Sequence, residues 1–153
     1  MKTPQEIEIL AWERLDEAKV LYENQKYDGA FYLAGYAVEL MLKAKIASRF
    51  GITGLFDDSD PMSNTIEGIG DVRRAVKTHN LRVLMIFSCL REEFETECET
   101  NAEFSFFADM LLGGWSEQSR YKTLGSTNRE ILKEILDILE NKTQGILQWI
   151  KMK

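Results

Sequence analysis

His79 is the only histidine in the chain, and it stands in a small basic island with Arg73, Arg74, Lys77 and Arg82. A histidine can pass protons near neutral pH, and an arginine can stabilise charge that develops on a phosphate. Four residues separate Arg74 from His79 and five separate Arg73 from it, so Arg73, Arg74 and His79 are the candidates for catalysis. A single histidine excludes a multi-histidine metal site and most triads that need a spare base. The structural alternative is a histidine at a helix start, capping Asn80 and Leu81 or satisfying loop carbonyls. No carboxylate in the neighbouring sequence is placed to orient the imidazole, which favours the capping role. On that reading His79→Ala costs about 1 kcal/mol, as cap losses do.

Glu39 and Lys43 lie four apart, in the order that favours an ion pair along a helix. Among Leu40, Met41 and Leu42 the pair reads as fixing helix packing or a subunit contact. Residues 68–73 begin like a dinucleotide fingerprint, but Arg73 stands where the third glycine belongs and no strand precedes them. Asp58-Ser59-Asp60 opens like a calcium loop, yet Ser63 and Ile69 replace the turn glycine and the closing acid. The sequence therefore assigns no cofactor and no metal. Glu92, Glu93, Glu95, Glu97 and Glu99 point in several directions around a helix and read as a solvated, mutually repelling face.

The elements that must position these residues are helical. With 153 residues, 44% of them apolar, the chain is long enough for one domain, residues 1–153, with a single core. A net charge of -6 argues against a protein that coats nucleic acid electrostatically. Two cysteines, Cys89 and Cys98, are too few for a disulfide scaffold and suggest a reducing cytoplasm. The amino terminus shows no targeting signal, and the longest apolar run, residues 29–38, falls short of the roughly 20 residues of a membrane span. A soluble, cytoplasmic protein is expected.

Apolar spacing predicts a helix over residues 4–24, with Thr3 as N-cap and Pro4 in the first turn. Residues 26–49 form a second helix, apolar around most of its circumference and so central to a bundle. Its Ala34, Gly35 and Ala37 would admit close neighbours. Residues 50–78 form a long loop, with a short helix near residues 72–76. Residues 50–71 are expected to be the most mobile internal region, although Leu55 and Phe56 could dock a turn. Helices follow over residues 80–98 and 102–112, the latter capped by Asn101 and closed by Gly113-Gly114. Residues 115–124 read as an irregular connection. The last helix starts from a Thr127/Glu130 capping box and carries its core face through Trp149. The fold class is an all-α, up-and-down bundle of about five helices.

Four segments carry a family resemblance. Residues 27–44, YDGAFYLAGYAVELMLKA, resemble the signature helix of HEPN domains (higher eukaryotes and prokaryotes nucleotide-binding), and residues 14–19, RLDEAK, resemble that family's first helix. Thr78-His79-Asn80-Leu81 is similar to its T-H-(D/N)-L step, and Ser119-Arg120-Tyr121 to its A-R-Y segment. The resemblance implies a helical bundle, commonly a homodimer. It also implies either a place beside a nucleotidyltransferase in a toxin–antitoxin pair or a metal-independent ribonuclease carrying R-x4-6-H. Arg73 or Arg74 with His79 meets that spacing. Arg74 and Ala75 stand where catalytic members carry Asn, Asp or His after the arginine.

The sequence is therefore read as a non-catalytic HEPN-type protein that binds a partner protein, RNA or a nucleotide. The alternatives are a metal-independent endoribonuclease using Arg73 or Arg74 with His79, and a structural dimerisation subunit. Tyr32, Tyr36, Glu39, Lys43, Arg120 and Tyr121 are the expected binding or interface residues. A homodimer with the second helix near its interface is expected, because Tyr32, Tyr36 and Met41 add to the inward apolar stripe.

Overall fold

A computed structural model describes residues 3–59, 61 and 63–153. Among them are eight α-helices and no strand. Asp60 of the calcium-like opening, and Met1 and Lys2 of the amino-terminal reading, lie outside the described residues.

Helix α1 (Pro4–Glu23) begins as the sequence predicts. The Thr3 hydroxyl accepts from the Glu6 N–H at 3.1 Å, and the Glu6 carboxylate accepts from the Thr3 N–H at 2.7 Å. The helix buries Ile7, Ala11, Leu15 and Ala18 against α2 (Tyr27–Phe50). Half of α2 is inside the bundle, including Ala30, Ala34, Ala37, Val38, Met41 and Leu42. Helices α1, α4 (Leu81–Phe87), α7 (Arg129–Glu140) and α8 (Ile146–Met152) all pack on it. This accounts for its apolar circumference within one chain. Met41 is fully buried here, so it does not add to an outer apolar face as the sequence reading supposed.

The small residues of α2 have one clear use. A Cβ on Gly35 would overlap the indole of Trp115, so only glycine lets that ring lie against the helix backbone. The indole N–H then donates to the Tyr32 carbonyl at 3.0 Å.

More helices appear than the expected five because two predicted helices are broken and the short loop helix adds one more. Residues 80–98 divide into α4 and α5 (Arg91–Thr100) at Cys89, whose φ of 56° lies in the left-handed region. The Ser88 hydroxyl donates back to the Met85 carbonyl at that point, at 2.9 Å. The last helix divides at residues 141–145, where the Asn141 side chain accepts from the Thr143 and Gln144 N–H groups. Its start also differs from the expected capping box. Asn128 is the N-cap, accepting from the Ile131 N–H at 2.9 Å, while the Thr127 N–H donates to Asp28 at 3.0 Å. Helix α6 (Ala102–Phe107) is capped by Asn101 as predicted and continues as a π-turn, Ala108–Leu112. A 3-10 segment, Glu117–Tyr121, occupies part of the irregular connection.

Within the long loop, α3 (Ile69–Val76) is longer than the short helix expected, and a 3-10 turn spans Ser63–Thr65. Leu55 is buried, so the loop docks on the bundle as suggested.

Candidate functional site

The site is assembled around Glu39. Its carboxylate lies on the buried side of α2, 1% exposed, where an unpaired charge would be costly. Two partners answer it. The Lys43 ammonium, one turn along, donates to Oε1 at 2.6 Å, and both carboxylate oxygens lie 3.0 Å from His79 Nδ1. The expected i,i+4 pair is therefore present, with a third member from the far side of the long loop.

This geometry corrects the reading of His79. Asn80, not His79, caps α4, its side-chain oxygen accepting from the Arg82 and Val83 N–H groups at 3.0 and 3.2 Å. A carboxylate does orient the imidazole, from a helix 40 positions earlier in the chain. Nδ1–H donating to Glu39 fixes the ring plane and turns Nε2 outward, the arrangement in which a carboxylate sets a histidine for proton transfer or ligand binding. Nε2 is 3.1 Å from Glu117 Oε2, and the side chain is half exposed. A neutral imidazole donates at one nitrogen only, whereas the imidazolium donates to both carboxylates.

The arginines of the R-x4-6-H spacing are not brought to this ring. Arg73 is buried and donates from Nε to the Leu55 carbonyl at 3.1 Å and from Nη2 to those of Gly54 and Asp57, each at 3.0 Å. Its Nη1 also bonds to the Asn64 side chain. Arg73 is a clamp on the long loop. Arg74 is 80% exposed and pairs with Asp71 on its own helix. The basic residues that do stand beside His79 are Lys77 and Arg82. Together with Trp115 and Glu117 these three residues line a groove of about 580 Å³. Lys77 pairs with Asp58 across the loop. The Arg82 guanidinium has no hydrogen-bond or ion-pair partner among the described residues.

Behind His79 lies a second, smaller cavity of about 190 Å³, with Tyr36, Glu39, Lys43 and Phe56 in its wall. Burial, followed by the charge of Glu39, pushes the Tyr36 hydroxyl above its usual range. Lys43 Nζ sits 5.5 Å from the centre of the Phe56 ring. Tyr36 stacks on Tyr32 with centroids 6.4 Å apart, and Tyr32 lies against Trp115, which lines the larger groove.

Arg120 and Tyr121 stand outside both cavities. The Arg120 guanidinium lies over the Tyr121 ring at 5.1 Å, and Tyr121 is 72% exposed. The residue of that segment that serves the site is Ser119, whose hydroxyl accepts from the Ser116 N–H at 3.1 Å and braces the turn carrying Glu117. The glutamate run of α5 is largely exposed, with Arg91 pairing to Glu95 and Lys153 to Glu93.

Two site residues escaped the sequence reading. Glu117 has no local signal, because its partner His79 is distant in sequence. Arg82 was visible as part of the basic island, but its place after the histidine hid it from the motif spacing.

The HEPN domain family model matches residues 10–53, which take in most of α1, all of α2 and the first turn of the loop. The resemblance seen in the sequence thus holds for the helix pair that carries Glu39 and Lys43, and it points to a role connected with nucleotides or RNA. No curated protein and no solved structure matches the chain significantly. No helix among the described residues is long and apolar enough to cross a membrane.

Proposed function

We propose that the chain binds a phosphate-bearing ligand, a nucleotide or a stretch of single-stranded RNA, in the groove beside His79, and does not cleave it alone. One observation carries this reading. The Arg82 guanidinium is unpaired among the described residues beside a histidine held rigidly by Glu39, whereas both motif arginines are engaged elsewhere. A guanidinium offers five N–H donors in a planar fork suited to phosphate. The net charge of -6 limits the footprint to a few phosphates rather than a long duplex. The proposal includes a homodimer and a nucleotidyltransferase-type partner, which the family resemblance implies. It also includes a reducing cytoplasm, consistent with the free Cys89 and Cys98.

The test is titration calorimetry with a short single-stranded RNA in EDTA and low salt. Arg82→Ala and His79→Ala abolish the binding heat, and Arg74→Ala leaves it unchanged. No binding by the wild type contradicts the proposal.

The Glu39–His79 contact favours a second reading, a metal-independent ribonuclease in which His79 moves the proton. A positioned proton-transfer group contributes about 10²–10⁴-fold to rate, so its loss is readily measured. Cleavage of the same RNA in EDTA, lost in a folded His79→Ala variant, would establish that reading in place of the first.

A further inference from the structure

We infer that the small cavity behind His79 receives the base of the ligand whose phosphate occupies the groove, so that the site accepts one unstacked nucleotide across the imidazole. The inference rests on the phosphate-binding reading of the groove. His79 lines both cavities and forms the wall between them. The two differ in the way that the two ends of a nucleotide differ. The groove side presents the Arg82 guanidinium and the Lys77 ammonium, cationic groups suited to an oxyanion, beside the outer edge of the imidazole and the Glu117 carboxylate. The small cavity has the aromatic rings of Tyr36 and Phe56 and the apolar side chain of Leu10 in its wall, with one charged pair, Glu39 and Lys43.

Size and chemistry together narrow the occupant. At about 190 Å³ the cavity falls below the roughly 300–1,000 Å³ of sites that enclose a whole drug-sized ligand, so it fits a ring system and not a complete nucleotide. Glu39 is 1% exposed and already engaged by Lys43 and His79, so the polar group open to an occupant is the Lys43 ammonium, 14% exposed. Lys43 retains donors beyond the one it spends on Glu39. A donor in a wall that is otherwise largely apolar and aromatic matches a planar ring that carries a carbonyl or ring nitrogen, as nucleobases do. Phe56 and Tyr36 bring aromatic rings to the cavity wall, against which such a base packs. A phosphate-only ligand would leave this cavity unfilled, and a purely apolar ligand would leave the remaining Lys43 donors unused.

Calorimetric titration of the wild-type chain with uridine 5′-monophosphate and with ribose 5-phosphate separates the two cavities. The expected result is that the nucleotide binds at least about tenfold more tightly than the sugar phosphate, the usual scale of one base stacking on an aromatic side chain. Phe56→Ala removes that difference while leaving ribose 5-phosphate binding intact. Leu10→Trp, which fills the cavity from α1 while leaving Glu39, Lys43 and His79 unsubstituted, does the same, so a folding defect in one variant does not decide the matter. Circular dichroism checks the fold of both. Equal affinity for the two ligands, with neither variant altering it, overturns the base pocket and leaves the phosphate reading standing. Binding of neither ligand overturns both.

Discussion

Two arginines nine positions apart have opposite fates. Arg73 is buried, and its guanidinium satisfies three loop carbonyls and the Asn64 side chain. Arg82 lies at the lip of an open groove with no partner among the described residues. The first has the motif spacing to His79 and spends its donors on the fold. The second follows the histidine and keeps its donors for something else. On the proposed reading, the fully engaged arginine serves stability and the unengaged one beside an oriented imidazole serves binding.

Substituting the two arginines in parallel is the strongest way to break this contrast. Arg73→Ala leaves buried carbonyls without donors and lowers stability by about 3 kcal/mol, since each such group costs about 1–3 kcal/mol. Arg82→Ala changes stability by no more than about 0.5 kcal/mol, as surface substitutions do. Urea unfolding midpoints measure both. Equal losses would show that Arg82 is structural too.

Asp28 extends the comparison to a carboxylate that is also engaged by the fold. The Thr127 hydroxyl, ahead of the Gly125 and Thr127 N–H groups, holds its carboxyl below the usual carboxylate range. A lowered folded-state pKa means the stabilisation is present above the unfolded value near 4 and is lost as pH falls through the folded value. Asp28→Asn therefore lowers stability by about 1 kcal/mol at neutral pH, and the gap from wild type closes on acidification. A gap that stays constant with pH would contradict the ionic account.

A smaller effect is expected at Glu117, whose carboxylate lies 3.1 Å from His79 Nε2. A ligand phosphate must take that place. Glu117→Gln removes the competing charge and tightens ribose 5-phosphate several-fold at low salt, with the gain shrinking as salt screens the charges. Weaker binding by this variant would mean that Glu117 contacts the ligand favourably.

What could be read from the sequence follows the range of the interactions. Thr3 with Pro4, Asn101, the second helix expected over residues 26–49 and the Glu39–Lys43 pair all rest on neighbours within a turn, and all are present. The helix break at Cys89 was hidden because apolar spacing continues on both sides of it, and only the backbone angle shows the turn. The Thr127/Glu130 box looked complete, but Asp28, 99 residues earlier, takes the Thr127 N–H. The same holds at the site. His79 lacked a local carboxylate, and the one that orients it arrives by packing of α2 against the segment before α4. Motif spacing placed Arg73 near His79 along the chain, while the buried carbonyls of residues 54–57 decided where its guanidinium went.

The presence of a single histidine makes the central claim directly observable, because the imidazole signals need no assignment among rivals. Long-range ¹H–¹⁵N spectra of His79, recorded while uridine 5′-monophosphate is added in EDTA, test whether the groove is a phosphate site. The account predicts a saturable shift centred on Nε2, with Nδ1 still hydrogen-bonded to Glu39, and no shift in Arg82→Ala. Ring signals that stay unchanged to saturation of the titration, or that move equally in Arg82→Ala, would contradict it.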